Sequence, residues 1–561
     1  MSSDDRLHAR IVSRVFLATI ALLIAGCAVG PDYTPPAPGL PGRWHAPMAG
    51  GEQDTPAALT QWWEVFGDAT LNNLVAEAAE TNYDLRIAEA RVREARAARG
   101  IVAADLYPQL NARASYQRSE SPAPDSIDNT SLSLSGSTNS QSFSRTATLR
   151  SGDFTATGTS AFTRLGSLLL GQQGGTQSIG SALLPSNSAN LSFSPNNSPS
   201  FERTQDFYQA GFDASWELDV FGGNRRAVEA ATADISAEEE GRRDVLVSLL
   251  AEVARNYLTL REAQARLRIA NENIEAQQNS VNITRARYDA GLTNASDALR
   301  AEAQLATTQS QIPAFETIVY SAIHRLSVLL GQNPASLFDE LVLGQPLPPT
   351  PPSVPVGMPS DLLRRRADVR RAERELAGAT ARIGEAMADL FPKFSLTGNF
   401  GFQNSNAGDL VLGTSRFWGF GPTVSWPVFD AGRIRANIDV QNSRQEQAVF
   451  LYERTVKESL EDVENSLVAY AKEQQRFSLL GQAVGAERQA VTLANERYIT
   501  GLSDFLNVLD AQRALYTAQD QQVQSQTTVL LNLVALYKAL GGGWESFEIP
   551  NDETAALDRP E

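Results

Sequence analysis

The chain has 561 residues, with 48 basic and 65 acidic side chains, three histidines and one cysteine. A net charge of −17 speaks against a nucleic-acid binder, which needs clustered positive charge. The single cysteine, Cys27, excludes an intramolecular disulfide and a multi-thiolate metal site. Length alone suggests roughly three or four domains. No uninterrupted apolar run reaches the roughly 18–20 residues of a membrane-spanning helix.

The N-terminus reads as an address. Arg6, Arg10 and Arg14 form a positive region, and Val15 to Ala25 an apolar one too short to span as a mature helix. Ile24-Ala25-Gly26-Cys27 follows, with small residues before a thiol, and resembles a bacterial lipoprotein box. The resemblance implies cleavage after residue 26 and a diacylglyceryl and N-acyl lipid on Cys27. Because Ala28 and not aspartate comes next, it also implies export to the outer membrane. Removing residues 1–26 leaves 45 basic and 63 acidic side chains, a net charge of −18.

The chain repeats itself. Ala104-Asp-Leu-Tyr-Pro108 recurs as Ala388-Asp-Leu-Phe-Pro392, an offset of 284. Arg287-Tyr-Asp-Ala-Gly-Leu292 recurs as Arg497-Tyr-Ile-Thr-Gly-Leu502, and Ser215-Trp216 as Ser425-Trp426, both at 210. Each half therefore reads helix, strand, loop, strand, long helix, tight turn, helix. The sequence divides into a leader (1–26), a lipidated extended segment (27–56), a first repeat (57–330), a Pro-rich joint (331–359), a second repeat (360–540) and a tail (541–561).

After each proline the hydrophobic period becomes two. Leu110, Ala112, Ala114 and Tyr116 share one face, as do Tyr208 to Leu218, Phe394 to Phe402 and Trp418 to Val428 in their runs. Each run approaches the 9–11 residues of a tilted membrane strand, with one aromatic-rich apolar face and one small polar face. A half-buried sheet of a soluble protein would alternate in the same way. Four strands cannot close a membrane barrel, and open edges do not survive in lipid, so strands in a bilayer must be pooled from several chains. Residues 119–200 hold 21 serines and are expected to form a long extracellular loop, partly disordered, with an extra hairpin around Phe154 to Leu170 as the alternative.

Asn224 to Ala290 lacks proline and predicts a helix roughly 100 Å long. Leu246, Val253, Leu260, Leu267, Ile274, Val281 and Tyr288 fall at steps of seven, as do Val456 to Tyr498 in the second copy. This is a coiled-coil seam. The positions three on (Leu249, Asn256, Ala263, Ala270, Gln277, Thr284) are mostly small or polar and should thin it. Gly291 and Gly501 suit left-handed helix stops, and Thr293, Asn294, Ser503 and Asp504 suit the caps of returning helices. Each half then contains a helical hairpin with its tip at Gly291 and Leu292 or at Gly501 and Leu502.

With Cys27-Ala-Val-Gly-Pro-Asp-Tyr33, Arg364-Arg-Arg-Ala-Asp-Val369, Gly421-Pro-Thr-Val-Ser-Trp-Pro427 and Tyr537-Lys-Ala-Leu-Gly-Gly-Gly-Trp544 added, the chain resembles the outer-membrane efflux factors, TolC and its lipidated NodT-type relatives. Relatives usually have proline where Ala367 stands. The resemblance implies an α+β membrane protein: a homotrimeric twelve-stranded β-barrel, four strands per chain, continued by a periplasmic α-helical barrel of coiled-coil hairpins. It implies docking through the hairpin tips onto a periplasmic adaptor bound to an inner-membrane pump, and no cofactor.

The positions matching the family's periplasmic gate are Leu506 and Asp510, four apart and so on one helix face. In a trimer Asp510 would form a carboxylate ring favouring cations. Arg497 and Tyr498 match positions that tie the two hairpins together in relatives. Offset by 210, the first copy has Ser296 and Arg300 in place of Leu506 and Asp510. Catalysis finds no support, because His45 and His324 have no base or ligand partner at a telling spacing. Two alternatives to an efflux duct stand: a non-transporting periplasmic coiled-coil stalk and the exit duct of a type I secretion system.

Overall fold

The computed structural model describes residues 28–37, 39–46, 52–53, 59–120, 129–138, 141–150, 189–194, 204–350 and 354–548. Residues 1–26, Cys27 and the alternative hairpin at Phe154 to Leu170 lie outside them. Two compact units emerge. One combines residues 1–108, 216–395 and 423–561, and the other residues 109–215 and 396–422.

The first unit is helical, and the repeat is visible residue by residue. In the first copy α1 (Ala69–Thr81) and α2 (Tyr83–Ala104) precede the long α3 (Gly223–Asp289). The return limb is split into α4 (Ala295–Gln309) and α5 (Ile312–Leu329). Pro313 accounts for the break, since it has no N–H to donate to the preceding turn. In the second copy α6 (Ala367–Ala388), α7 (Arg433–Ile499) and an unbroken α8 (Phe505–Ala539) follow. Both long helices have 67 residues and both short ones 22, so the offsets of 210 and 284 hold to the residue. No helix among the described residues is long and apolar enough to cross a membrane.

The main apolar core joins both copies where the segment before α1 meets the end of α8. Trp62 is fully buried and stacks on Tyr537 at 5.5 Å, with Trp63 and Phe66 edge-on to it. Leu246, Val253 and Leu260 from α3, Val463 and Tyr470 from α7, and Leu530 and Leu533 from α8 complete it. Toward the helix tips the seam differs from the heptad expectation. Tyr288 is 48% exposed, whereas Ala263, Ala270, Gln277 and Thr284, the small and polar positions three on, are buried. Small side chains let neighbouring helices approach on that side, in keeping with the seam thinning read from the sequence.

Each copy turns from short helix to strand in the same way. The Trp216 indole donates to the Leu106 carbonyl at 2.9 Å, and Trp426 to Leu390 at 3.0 Å, two residues before Pro108 and Pro392. Phe221 and Phe391 stack at 4.6 Å where the two copies come together.

The N-terminal segment is clamped at this junction. Val29 N–H donates to the Phe221 carbonyl at 3.0 Å. The buried Arg226 donates to the Val29 carbonyl at 3.2 Å and pairs with Asp32 at 2.6 Å. Gly30 has φ +98°, and a Cβ there would strike the backbone of Gly384. Gly30→Ala therefore overpacks a closed contact, at a cost of about 1–3 kcal/mol. It is expected to release residues 28–46 from the helices, read as faster limited proteolysis near the N-terminus with the rest of the chain still resistant.

The second unit is β-sheet. β1 (Gln109–Glu120) pairs antiparallel with β5 (Thr204–Leu218) in the register Gln109↔Ser215 to Glu120↔Thr204. The four-stranded sheet runs β1-β5-β6-β7, where β6 is Lys393–Asn404 and β7 Arg416–Ser425. The fourth strand stops at Ser425 and not at the expected Val428. Gly211 and Gly401 meet at the β5–β6 pairing, where a Cβ on Gly211 would lie 2.6 Å from the Phe400 carbonyl oxygen. The apolar face is bare in one chain: Leu110, Phe212, Phe400, Trp418 and Phe420 are 45–79% exposed.

Within residues 119–200, expected as a long and partly disordered loop, the described residues include three strands. β2 (Asn129–Thr138), β3 (Gln141–Arg150) and β4 (Ala189–Ser194) form a second sheet in the order β3-β2-β4. These strands close their backbone hydrogen bonds on one another. The alternation Ser131-Leu-Ser-Leu-Ser135 was the available signal.

Candidate functional site: the hairpin tips

Both tips are built alike. Gly291 has φ +74° and Gly501 φ +77°. Leu292 N–H reaches back to the Arg287 carbonyl at 2.8 Å, and Leu502 N–H to Arg497 at 2.8 Å. Each pairing closes the last turn in the glycine-dependent manner expected of a left-handed stop. Leu292 and Leu502 are then left 67% and 72% exposed at the apices. Asn294 caps α4 by accepting from Asp297 N–H at 3.2 Å, and Thr293 donates to the Asp297 carboxylate at 2.5 Å. Asp504 occupies the corresponding cap of α8 without a side-chain cap bond.

The first turns of α8 sort by face. Phe505, Val508 and Leu509 are buried, while Leu506, at 45% exposure, and Asp510 share the open side, as a spacing of four requires. Asp510 takes no ion pair among the described residues. The carboxylate is thus presented to solvent one turn from the exposed Leu506 side chain.

Tyr498 lies at the centre of the tip. It is 5% exposed and packs in a cluster with Val281 and Ala301 of the first hairpin and with Phe505, Val508 and Leu509 of the second. The Arg287 guanidinium covers its ring at 4.8 Å and donates to the Ile499 carbonyl at 3.2 Å. Burial holds the Tyr498 hydroxyl above the usual phenol range; Asp297 adds to the rise and Arg287 opposes it. The two residues named from the resemblance thus part company. Tyr498 sits between the hairpins within one chain, whereas Arg497 is exposed and contributes its carbonyl to the turn. The cation that crosses is Arg287, which sequence reasoning missed. Its place in the repeated Arg-Tyr motif was the signal, but the motif could not say which copy's arginine meets which copy's tyrosine.

Further polar rungs continue inward. Gln512 donates to the Ser280 hydroxyl at 2.9 Å, Arg513 to the Gln304 side chain at 2.6 Å, and Arg266 to Asp520 at 2.7 Å. Gln277 is 2% exposed, yet neither polar atom of its side chain has a partner among the described residues.

The chain matches the family model described as outer membrane efflux protein over residues 74–157, 175–332 and 358–542. It is 29% identical over 552 residues to the toluene efflux pump outer membrane protein TtgC of Pseudomonas putida, covering 98% of this chain and 99% of that protein. The outer-membrane channel OprN is 33% identical with a TM-score of 0.74, covering 92% of this chain and all of that one. The open-state outer membrane channel MtrE of Neisseria gonorrhoeae is 25% identical with a TM-score of 0.71, covering 93% of this chain and 99% of that one. These channels are trimers of the TolC type, in which a barrel pooled from three chains continues as a helical tunnel, and the four strands and long hairpins described above are one third of that architecture. The chain is an outer membrane channel component of an efflux pump and belongs to the outer membrane efflux protein family.

Proposed function

We propose that this trimer is the exit duct of a tripartite pump, closed at its hairpin tips by rings of Leu506 and Asp510 and held to the membrane through lipid on Cys27. The carrying observation is the sorting of α8, with an exposed leucine and carboxylate backed by a buried cluster that ties the two hairpins. In a threefold assembly Asp510 gives three carboxylates on one ring, which attract cations and repel anions. The change from an apolar core near the chain ends to a polar seam near the tips also favours a hinge there. An unpartnered buried amide such as Gln277 gives up about 1–3 kcal/mol, so parting the helices at this level costs less than at the core. Leu292 and Leu502 offer apolar apices to a periplasmic adaptor. The reading assigns the chain no catalytic step. Choice of cargo belongs to the inner-membrane pump, and TtgC's name points to small apolar molecules as one class to try.

Asp510→Ala tests the gate. In planar bilayers the variant should conduct more and prefer cations less than the parent chain. Identical conductance and ion preference would remove Asp510 from the gate.

A further inference from the structure

We propose that Glu94 on α2 of one chain pairs with Arg444 on α7 of the next, at the level where Arg382 and Asp234 pair between α6 and α3 within a chain. The proposal rests on the trimeric fold and adds to it the ion pair that joins neighbouring chains. In each copy the short helix packs on its own long helix, α2 on α3 and α6 on α7. α6 additionally packs on α3 of the first copy, whereas no long helix of its own chain serves α2 in that way.

Transposing the α6–α3 contacts by 284 and 210 lands on complementary pairs. Within the chain Arg382 pairs with Asp234, and a Cβ on the buried Gly378 would lie 3.2 Å from that carboxylate. The matching positions are Ala98 for Arg382, Arg444 for Asp234 and Glu94 for Gly378. The charges are exchanged and the acid moves one helical turn, so the two helices again carry opposite charges at this level. Glu94 and Arg444 are both exposed and take no ion pair among the described residues. Arg371 packs its stem on Gly241, with a Cβ there 3.6 Å from the guanidinium. Their counterparts are Ile87 and Leu451, which are 53% and 36% exposed.

Charge complementarity at Glu94 and Arg444 specifies a second copy of this chain as the occupant.

The test is a cross-link in the full chain. A Cβ on Gly223 would lie 2.9 Å from the Ala388 Cβ, so the transposed positions 104 and 433 sit close to the separation a disulfide needs. The Ala104→Cys/Arg433→Cys variant, oxidised in detergent and boiled without reductant, should run as a covalent trimer, and each single variant as a monomer. In a second arm, Glu94→Arg and Arg444→Glu should each lower the temperature at which the unboiled trimer dissociates, and the double exchange should restore it. An unboiled trimer with neither cross-link nor rescue overturns this pairing while leaving the trimer intact. A parent chain that gives no trimer overturns both.

Discussion

Replacing Tyr498 by alanine is expected to open the tips. Removing a buried aromatic side chain costs about 3–5 kcal/mol, and here that loss falls on the contact between hairpins and not on the core of either. The ring holds Arg287 on one side at 4.8 Å and Phe505 on the other at 5.4 Å. Its removal leaves Arg287 with only the Ile499 carbonyl across the joint. Because 1.4 kcal/mol is a factor of ten in an equilibrium, even a third of that loss should raise the open population about tenfold. Single-channel recordings should show more frequent or larger openings, and amides of residues 498–510 should exchange faster. Tyr498→Phe keeps the ring and should stay near the parent, whereas Arg287→Met should fall between. Alanine and parent channels that conduct alike would place closure elsewhere.

Trp62→Ala should be the most destabilising single change near the chain ends, again by about 3–5 kcal/mol. Trp62 is 1% exposed and stacks on Tyr537, which belongs to the second repeat. The site cannot collapse easily: a Cβ on Gly543 would already lie 3.0 Å from the Trp62 indole nitrogen and 2.9 Å from Leu250. The loss therefore unties the segment before α1 from the end of α8, and the apparent melting temperature in detergent should fall while conductance of the surviving channels is unchanged. Trp62→Phe refills part of the volume and should recover part of the shift. An alanine variant that melts with the parent would mean that the ends contribute little to stability.

The exposed Asp510 and the buried Tyr498 were both named from the sequence. Asp510 and Leu506 were named from the family resemblance, and the spacing of four put them on one helix face, which any helix of that length obeys. Tyr498 was named with Arg497, and only one of the pair faces the joint. The difference lies in how one hairpin rotates against the other, a quantity set by contacts more than 200 residues apart, of which Arg287 to Ile499 is an example. The polar rungs from Ser280 to Gln512 and from Gln304 to Arg513 were illegible for the same reason.

The sequence by itself determined the repeat, the two 67-residue helices, the glycine stops and four of the seven labelled strands, because each depends on interactions within a few residues: a period, a missing Cβ, a missing N–H. Only the fold shows the sheet order that sets β5 beside β6, the Gly30–Gly384 clamp, and Arg287 as the partner of Tyr498. These depend on which distant segments reach one another, and side-chain chemistry does not fix that choice until the backbones have been brought together.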